Sequence, residues 1–444
     1  MKKLNFNIIF LVLVLLVSLE GNSQQVVKPS KAISLALEHN YGVQIANNTV
    51  GIAENNKNVL NTGYLPTLTG SAGATYNLDD VYAEFPAISG RENTDVKATE
   101  SSRYNASLNL NYVLFDGLGR HYDYKRLKEE YNLSALQARE TIENTITQLL
   151  TVYYDVARRT ENLKSLKETL EISKDRLTRQ EYQFEYGQNT KLDVLNAEVD
   201  INNDSINIIN VKQSLINAKR DLNFVTGNSV TQEFEVDTTV TFLLQLNKQE
   251  LLNKLHTNNV TLIQNEKNIA INEFTLKANK SGYLPSIGLI GSYGWNKSNN
   301  NEVSFSTVSI NSGLSAGLNL SWNLFDGGST ITRVKNAQIN LENQKLQKEQ
   351  LKLDVERNFN NAWDDYQNKL KIYQVQEENI KTANNNFSRT QEKFKLGQVT
   401  SIVFRQAQLN LLTSELSRNQ AKYDAKLAEV AVLQLSGELL NNQF

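Results

Sequence analysis

The sequence predicts a mainly α chain with a small β part, written as two copies of a helix–strand–strand–long helix–helix unit. Three observations carry this. Landmark motifs recur in the same order in both halves. Two very long stretches lack Gly and Pro, and four short segments alternate apolar with polar residues.

The duplication is read directly. Leu108-Asn-Leu-Asn-Tyr-Val-Leu-Phe-Asp-Gly117 returns as Leu318-Asn-Leu-Ser-Trp-Asn-Leu-Phe-Asp-Gly327, 210 residues later. Phe184-Glu-Tyr-Gly-Gln-Asn-Thr190 returns as Phe394-Lys-Leu-Gly-Gln-Val-Thr400, and Val225-Thr-Gly227 as Leu435-Ser-Gly437, at the same offset. Gly63-Tyr-Leu-Pro66 matches Gly282-Tyr-Leu-Pro285 at an offset of 219. These landmarks set the organisation: a first repeat over 24–227, a connection over 228–250, a second repeat over 251–437 and a tail over 438–444.

Residues 120–186 and 329–396 contain neither Gly nor Pro, so nothing local stops a helix there. Ile142, Leu149, Val156, Leu163, Leu170, Leu177 and Phe184 recur every seven residues, and Phe359, Tyr366, Tyr373, Ile380, Phe387 and Phe394 repeat the spacing. Such a stripe predicts helices packed side by side as in a coiled coil. At 1.5 Å per residue each long helix would be about 100 Å. Return helices follow over 190–226 and 400–436, and Gly187 and Gly397 sit at the reversals, where positive φ is needed.

The strands are expected at about 66–76, 104–115, 285–295 and 314–325. Leu108, Leu110, Tyr112 and Leu114 alternate with Asn109 and Asn111; Leu318, Leu320, Trp322 and Leu324 do so with Asn319, Ser321 and Asn323. Their length suits a tilted strand crossing an outer membrane, and Trp295 and Trp322 suit an interfacial girdle. Long polar loops are expected over 77–103 and 296–313. Asp116-Gly117 and Asp326-Gly327 mark the strand-to-helix turns, each aspartate a natural helix N-cap. No histidine or second acid recurs beside them in both halves, which argues against a catalytic role.

Composition narrows the function. Of 444 residues 40% are hydrophobic and 21% charged, which suits a folded chain rather than a solvated coil. A net charge of −2 gives no basic surface for nucleic acid. A mean hydropathy of −0.44 rules out a polytopic helical membrane protein. There are no cysteines and only three scattered histidines, so thiol chemistry is excluded and no catalytic, cofactor or metal site is expected. At the start, Lys2 and Lys3 precede an apolar run from Ile8 to Val17, and Gly21 and Ser23 stand before Gln24. That predicts a secretory signal peptide over 1–23.

Geometry then demands partners. Four strands cannot close a barrel, and an open edge in lipid leaves backbone groups unpaired. Two pooled chains would give about eight strands and a lumen filled by side chains; three would give about 12 and a passage, and three is favoured. A rival is a secreted structural coiled coil with soluble hairpins, which explains the heptads but not four strands of membrane length. A general diffusion porin would need many more strands per chain.

The export signal, duplicated unit, paired Gly-Tyr-Leu-Pro segments, paired Leu-Phe-Asp-Gly turns and paired Gly-Gln tips together resemble the TolC-type outer-membrane efflux proteins. The likeness covers essentially the whole chain after the signal. It implies a homotrimeric α-barrel across the periplasm, continued by a shared 12-stranded transmembrane β-barrel. It also implies passive conduction in a tripartite efflux pump or type I secretion system, with a periplasmic adaptor and an inner-membrane transporter as partners. The adaptor contact would fall on Gly187, Gln188, Gly397 and Gln398, with Thr190 and Thr400 starting the return helices. Asp193, six residues beyond the tip glycine, matches an acid that rings the periplasmic aperture in some members, and Glu198 lies on the same helix. The second half departs, with Val403 and Gln406 six and nine residues beyond Gly397. Asp193 equally suits a partner for its own helix N-terminus.

Overall fold

The computed structural model describes residues 26–243 and 246–442. The signal peptide expected over 1–23 lies outside them, as do the last two residues of the expected tail. In chain order the elements are β1 (Val26–Val27), α1 (Pro29–His39), α2 (Tyr41–Asn56), β2 (Thr67–Ala83), β3 (Thr94–Phe115), α3 (Gly119–Glu185) and α4 (Lys191–Thr226). The second half gives β4 (Glu235–Val236), α5 (Lys248–Asn258), α6 (Val260–Lys280), β5 (Ser286–Asn299), β6 (Val308–Ser321), α7 (Ser329–Lys395) and α8 (Ser401–Leu435). Two compact units result: one of residues 50–134 and 265–348, the other of the remaining described residues.

The first unit holds an antiparallel sheet of order β2-β3-β5-β6. The strands run further than the alternation predicts. β2 and β3 stay paired out to Ala83 and Thr94, and β5 and β6 out to Asn299 and Val308. Connections of only 84–93 and 300–307 remain where loops over 77–103 and 296–313 were expected. The extensions are polar, so an apolar period stops where pairing does not. An irregularity between Asp79 and Val81 is stitched by the Asp80 Oδ1 atom, which accepts the Ala98 N–H at 2.8 Å. At the other end β6 stops at Ser321, short of the expected 325.

The register sorts the two faces. One row sets Leu68, Leu110, Gly291 and Ala316 side by side, and the next Gly70, Leu108, Tyr293 and Leu314. The intervening row, on the opposite face, is Thr69, Asn109, Ser292 and Ser315. Asn109 donates to Ser71 Oγ at 3.4 Å and its Oδ1 accepts from Ser292 at 2.9 Å, a polar ladder across three strands. Among the described residues nothing covers the apolar face: Leu318 is 72% exposed and Leu314 80%.

The second unit is helical. Its apolar core gathers Leu149, Leu150, Tyr153 and Val156 of α3, Leu222 and Val225 of α4, and Tyr423, Val430 and Leu433 of α8. β1 and β4 pair in parallel beside it, and the Tyr153 hydroxyl donates to Val27 O at 2.7 Å. A second cluster packs Phe359 and Tyr366 of α7 on Leu251 and Leu255 of α5. Part of the inter-repeat connection, 238–243, is strapped down by α8: Lys422 and Lys426 donate to Thr238 O and Thr241 O, and Glu429 accepts the Leu243 N–H at 3.0 Å. Burial holds the Lys422 ammonium below its usual range, against the pull of Glu161. In the tail a short turn, Leu439–Asn441, buries Leu439 in the first core.

The helix that opens each repeat is broken once, at equivalent asparagines. Asn40 and Asn259 are extended, and each caps the helix after it. Their side-chain amides donate to Val225 O and Leu435 O, both at 2.9 Å. Gly227 and Gly437, in the left-handed region at φ +72° and +73°, lie against the break so closely that a Cβ would stand 2.5 Å and 2.4 Å from a carbonyl oxygen. No side chain larger than hydrogen fits there.

Candidate functional site

The strand-to-helix turns are built by their acids. The Asp116 Oδ2 atom accepts the Arg120 backbone N–H at 3.0 Å and its Nε–H at 2.9 Å. Asp326 Oδ2 accepts the Thr330 N–H at 2.8 Å and hydroxyl at 2.6 Å, and Oδ1 the Gly328 N–H at 3.1 Å. The Thr330 hydroxyl and the neighbouring N–H groups hold the Asp326 carboxyl below the usual carboxylate range. Gly117 and Gly327 both take φ +69°, but the next residues differ: Gly328 at φ +88° and Leu118 at φ +70°. The first repeat therefore carries leucine in a backbone conformation that L side chains rarely adopt.

At the tips the sequence folds by two local rules. Gly187 and Gly397 take φ +70° and +72°. Each closes its long helix with a Schellman pair: Gln188 N–H to Gln183 O at 2.7 Å, and Gln398 N–H to Lys393 O at 2.8 Å. Thr190 and Thr400 then start the return helices as N-caps. The Asp193 carboxylate accepts the Thr190 hydroxyl at 2.6 Å and its N–H at 3.3 Å. Val403 gives its N–H to the Thr400 hydroxyl at 3.4 Å and leaves its side chain exposed. One concavity is lined by Gln188, Asp193, Gly397 and Gln398, and a second by Asp193 and Gln406 together with Arg176, Asp200 and Arg405. The two tips also touch through Arg179, which donates to Lys395 O and lies over the Phe394 ring, itself stacked on Phe404 at 4.5 Å.

Just behind the tips lies a polar seam that the sequence did not reveal. Arg405 of α8 grips Asp204 of α4 with both terminal nitrogens, at 2.9 and 2.7 Å. Arg176 of α3 pairs with Asp200. Ser173 donates to Asp204 at 2.7 Å, and Gln408 reaches Ser173 at 2.9 Å and Thr169 O at 2.8 Å. Asp204 and Arg176 are nearly buried, so each charge depends on its partner. The signal was present: Leu166, Thr169, Ser173, Arg176 and Gln180 follow a 3-4 spacing, but only the first is apolar. These are the residues of α3 that the rest of the chain covers, whereas the expected stripe residues Leu163, Leu170 and Leu177 are half-buried and Phe184 is 44% exposed. The heptad expectation is corrected here for α3 alone: Phe359, Tyr366, Phe387 and Phe394 of the α7 stripe are buried. Towards the tip the covered face of α3 is polar, because directed hydrogen bonds replace apolar contact.

A sheet with one bare apolar face and one polar face, joined through long helices to paired helical hairpins, defines a class: a protein that lines a passage through a membrane. No helix among the described residues is long and apolar enough to cross a membrane. The model of the outer membrane efflux protein family matches residues 32–228 and 251–438, and the chain belongs to that family. It is similar to the outer membrane efflux protein BepC of Brucella suis biovar 1 (strain 1330), with 21% identity over 93% of this chain and 86% of that protein. Its fold is that of the outer-membrane channel OprN (17% identity, 92% and 89% of the two chains, TM-score 0.73). The same holds for the Campylobacter jejuni CmeC channel (16%, 93% and 86%, TM-score 0.75). The protein therefore resides in the outer membrane with a periplasmic extension and serves there as an exit duct for efflux; the family is one of channels, not enzymes.

Proposed function

We propose that three copies of this chain close one 12-stranded barrel and continue it as a helical barrel, forming the outer-membrane exit of a tripartite efflux pump or type I secretion system. The single observation behind this is the open sheet. β2 and β6 are its free edges, and its bare face is apolar. Unpaired edges in lipid are costly, so neighbouring chains must supply the missing strands. The helices give independent support. Leu192, Leu195, Val199, Ile206, Ile209 and Ile216 of α4 keep heptad spacing yet stand exposed, an unpartnered seam suited to another copy.

Passive conduction assigns roles to the tips. Gly187, Gln188, Gly397 and Gln398 dock a periplasmic adaptor, which links the duct to an inner-membrane transporter. Asp193 lines the aperture with Val403 and Gln406, and a ring of three Asp193 carboxylates favours cations there. Gly187 and Gly397 meet open space where a side chain would be added, so Gly187→Trp with Gly397→Trp should leave trimers intact while abolishing export. Loss of trimers in that variant would refute docking at these residues. Asp193→Asn should lower single-channel cation preference in planar bilayers, and an unchanged preference would remove Asp193 from the aperture.

A further inference from the structure

The polar face of the sheet carries almost no charge. On β2 it presents Thr67 to Asn77 at every second residue, on β3 Ser101 to Val113, on β5 Gly288 to Ser298 and on β6 Ser309 to Ser321. Every one of these positions is neutral except Arg103. The sequence alone placed Arg103 in a loop; the register places it in the wall, between Thr75 and Ser298. The adjoining rows carry Tyr104 and Tyr76 on the apolar face, with Trp295 three residues further along the sheet, opposite Ala106. Arg103 is exposed and has no ion-pair partner among the described residues. Lys297, the other cation at this level, stands on the apolar face.

The extension beyond this level is acidic, with Asp79 the first acid on the same face. Asp79 lies four residues along β2 from Thr75, roughly 13 Å at strand rise, which exceeds the screening length of about 10 Å in 0.1 M salt. It therefore does not neutralise Arg103 at the wall. We propose that Arg103 is the specificity-determining residue of the barrel wall: an uncharged, hydroxyl- and amide-lined passage with one cationic ring. The ring favours anionic solutes, or the anionic ends of amphipathic cargo, over cations. The inference rests on the reading of the polar face as the lumen of a trimeric duct, and it concerns a different level from the Asp193 aperture.

The test exploits a chain without cysteine. Thr75→Cys puts a sole thiol in the row of Arg103. It is treated with an anionic sulfonatoethyl and a cationic trimethylammonium-ethyl methanethiosulfonate, and each rate is divided by that for a free thiol. The ratio of the two reagents cancels changes in the reactivity of the thiol itself. The anionic reagent should be favoured, the preference should fall about threefold in Arg103→Gln at 0.1 M salt, and it should fade at 1 M. Should the Arg103→Gln protein not fold, the salt dependence in Thr75→Cys alone decides: a preference that fades with salt supports the cationic ring, and one that does not refutes it. A ratio indifferent to both salt and Arg103 would overturn the proposal. Ala74→Cys, on the apolar face, separates the two levels of inference. If it reacts and Thr75→Cys does not, the lumen assignment itself fails; if Thr75→Cys reacts without charge preference, only the role of Arg103 fails.

Discussion

Residues 142–157 and 166–180 belong to one uninterrupted helix, α3, yet they pack by different chemistry. The first stretch buries Ile146, Leu149, Leu150, Tyr153 and Val156 in an apolar core. The second buries Thr169, Ser173 and Arg176 against α4 and α8 through hydrogen bonds and an ion pair, while Gln180 is held by Asn189 of the tip turn. Apolar burial is strong and undirected, whereas a buried ion pair adds little net stability but leaves an orphaned charge if either partner goes. Near the tip, α3 meets α4 and α8 by directed contacts, while the apolar burial passes to Phe387 and Phe394 of α7 and Phe404 of α8.

The largest test of that contrast falls in the seam. Arg405→Ala leaves Asp204 buried without a cation and should cost about 3–5 kcal/mol. Arg405→Leu combined with Asp204→Leu should recover most of the loss, because similar-sized apolar residues replace the pair. Thermal unfolding of the detergent-solubilised protein reads both, and a double variant as damaged as the single one would break the comparison. In the core, Leu149 is fully buried, and Leu149→Ala should cost about 2–5 kcal/mol with no partner able to rescue it. Glycines sharpen the same contrast. Gly437→Ala drives a methyl into Asn258 O and should cost several times the ~1 kcal/mol expected at Gly397, where the added carbon meets open space. Equal losses at the two positions would mean that the junction at Asn259 is not close-packed.

The smallest effect expected is one of pH. Burial pushes the Asp155 carboxyl upward, but Arg159 at 2.7 Å and Arg158 outweigh it, and the net shift is downward from 3.8. A depressed carboxyl stabilises the fold above its ordinary value and loses that contribution as pH falls through the folded value. The melting temperature should therefore drop below about pH 4, and Asp155→Asn should flatten the drop. No flattening would place the acid sensitivity elsewhere.

Much of the fold was legible because the sequence states it twice. Gly187 and Gly397, Asp116 and Asp326, and the long breaker-free stretches each mark an element through a local rule of backbone geometry. Elements held by distant partners were not legible. Nothing beside Asn40 or Asn259 announces that its amide reaches a carbonyl of a return helix. Arg405 reads as a solvated charge until Asp204 is seen across from it. Arg103 was lost because the strands were sought by apolar alternation, and pairing continues where the alternation fades. The tip residues stand between these cases. Asp193 caps its own helix through Thr190, a local fact, while its place at an aperture depends on neighbouring copies.

One chain is expected to supply only part of a duct wall, because its sheet has two free edges and an exposed apolar face. Native mass spectrometry of the protein extracted from membranes in mild detergent tests this most directly. A particle of three chains is predicted, released only by detergent; a single chain that stays monodisperse after the detergent is removed would contradict it.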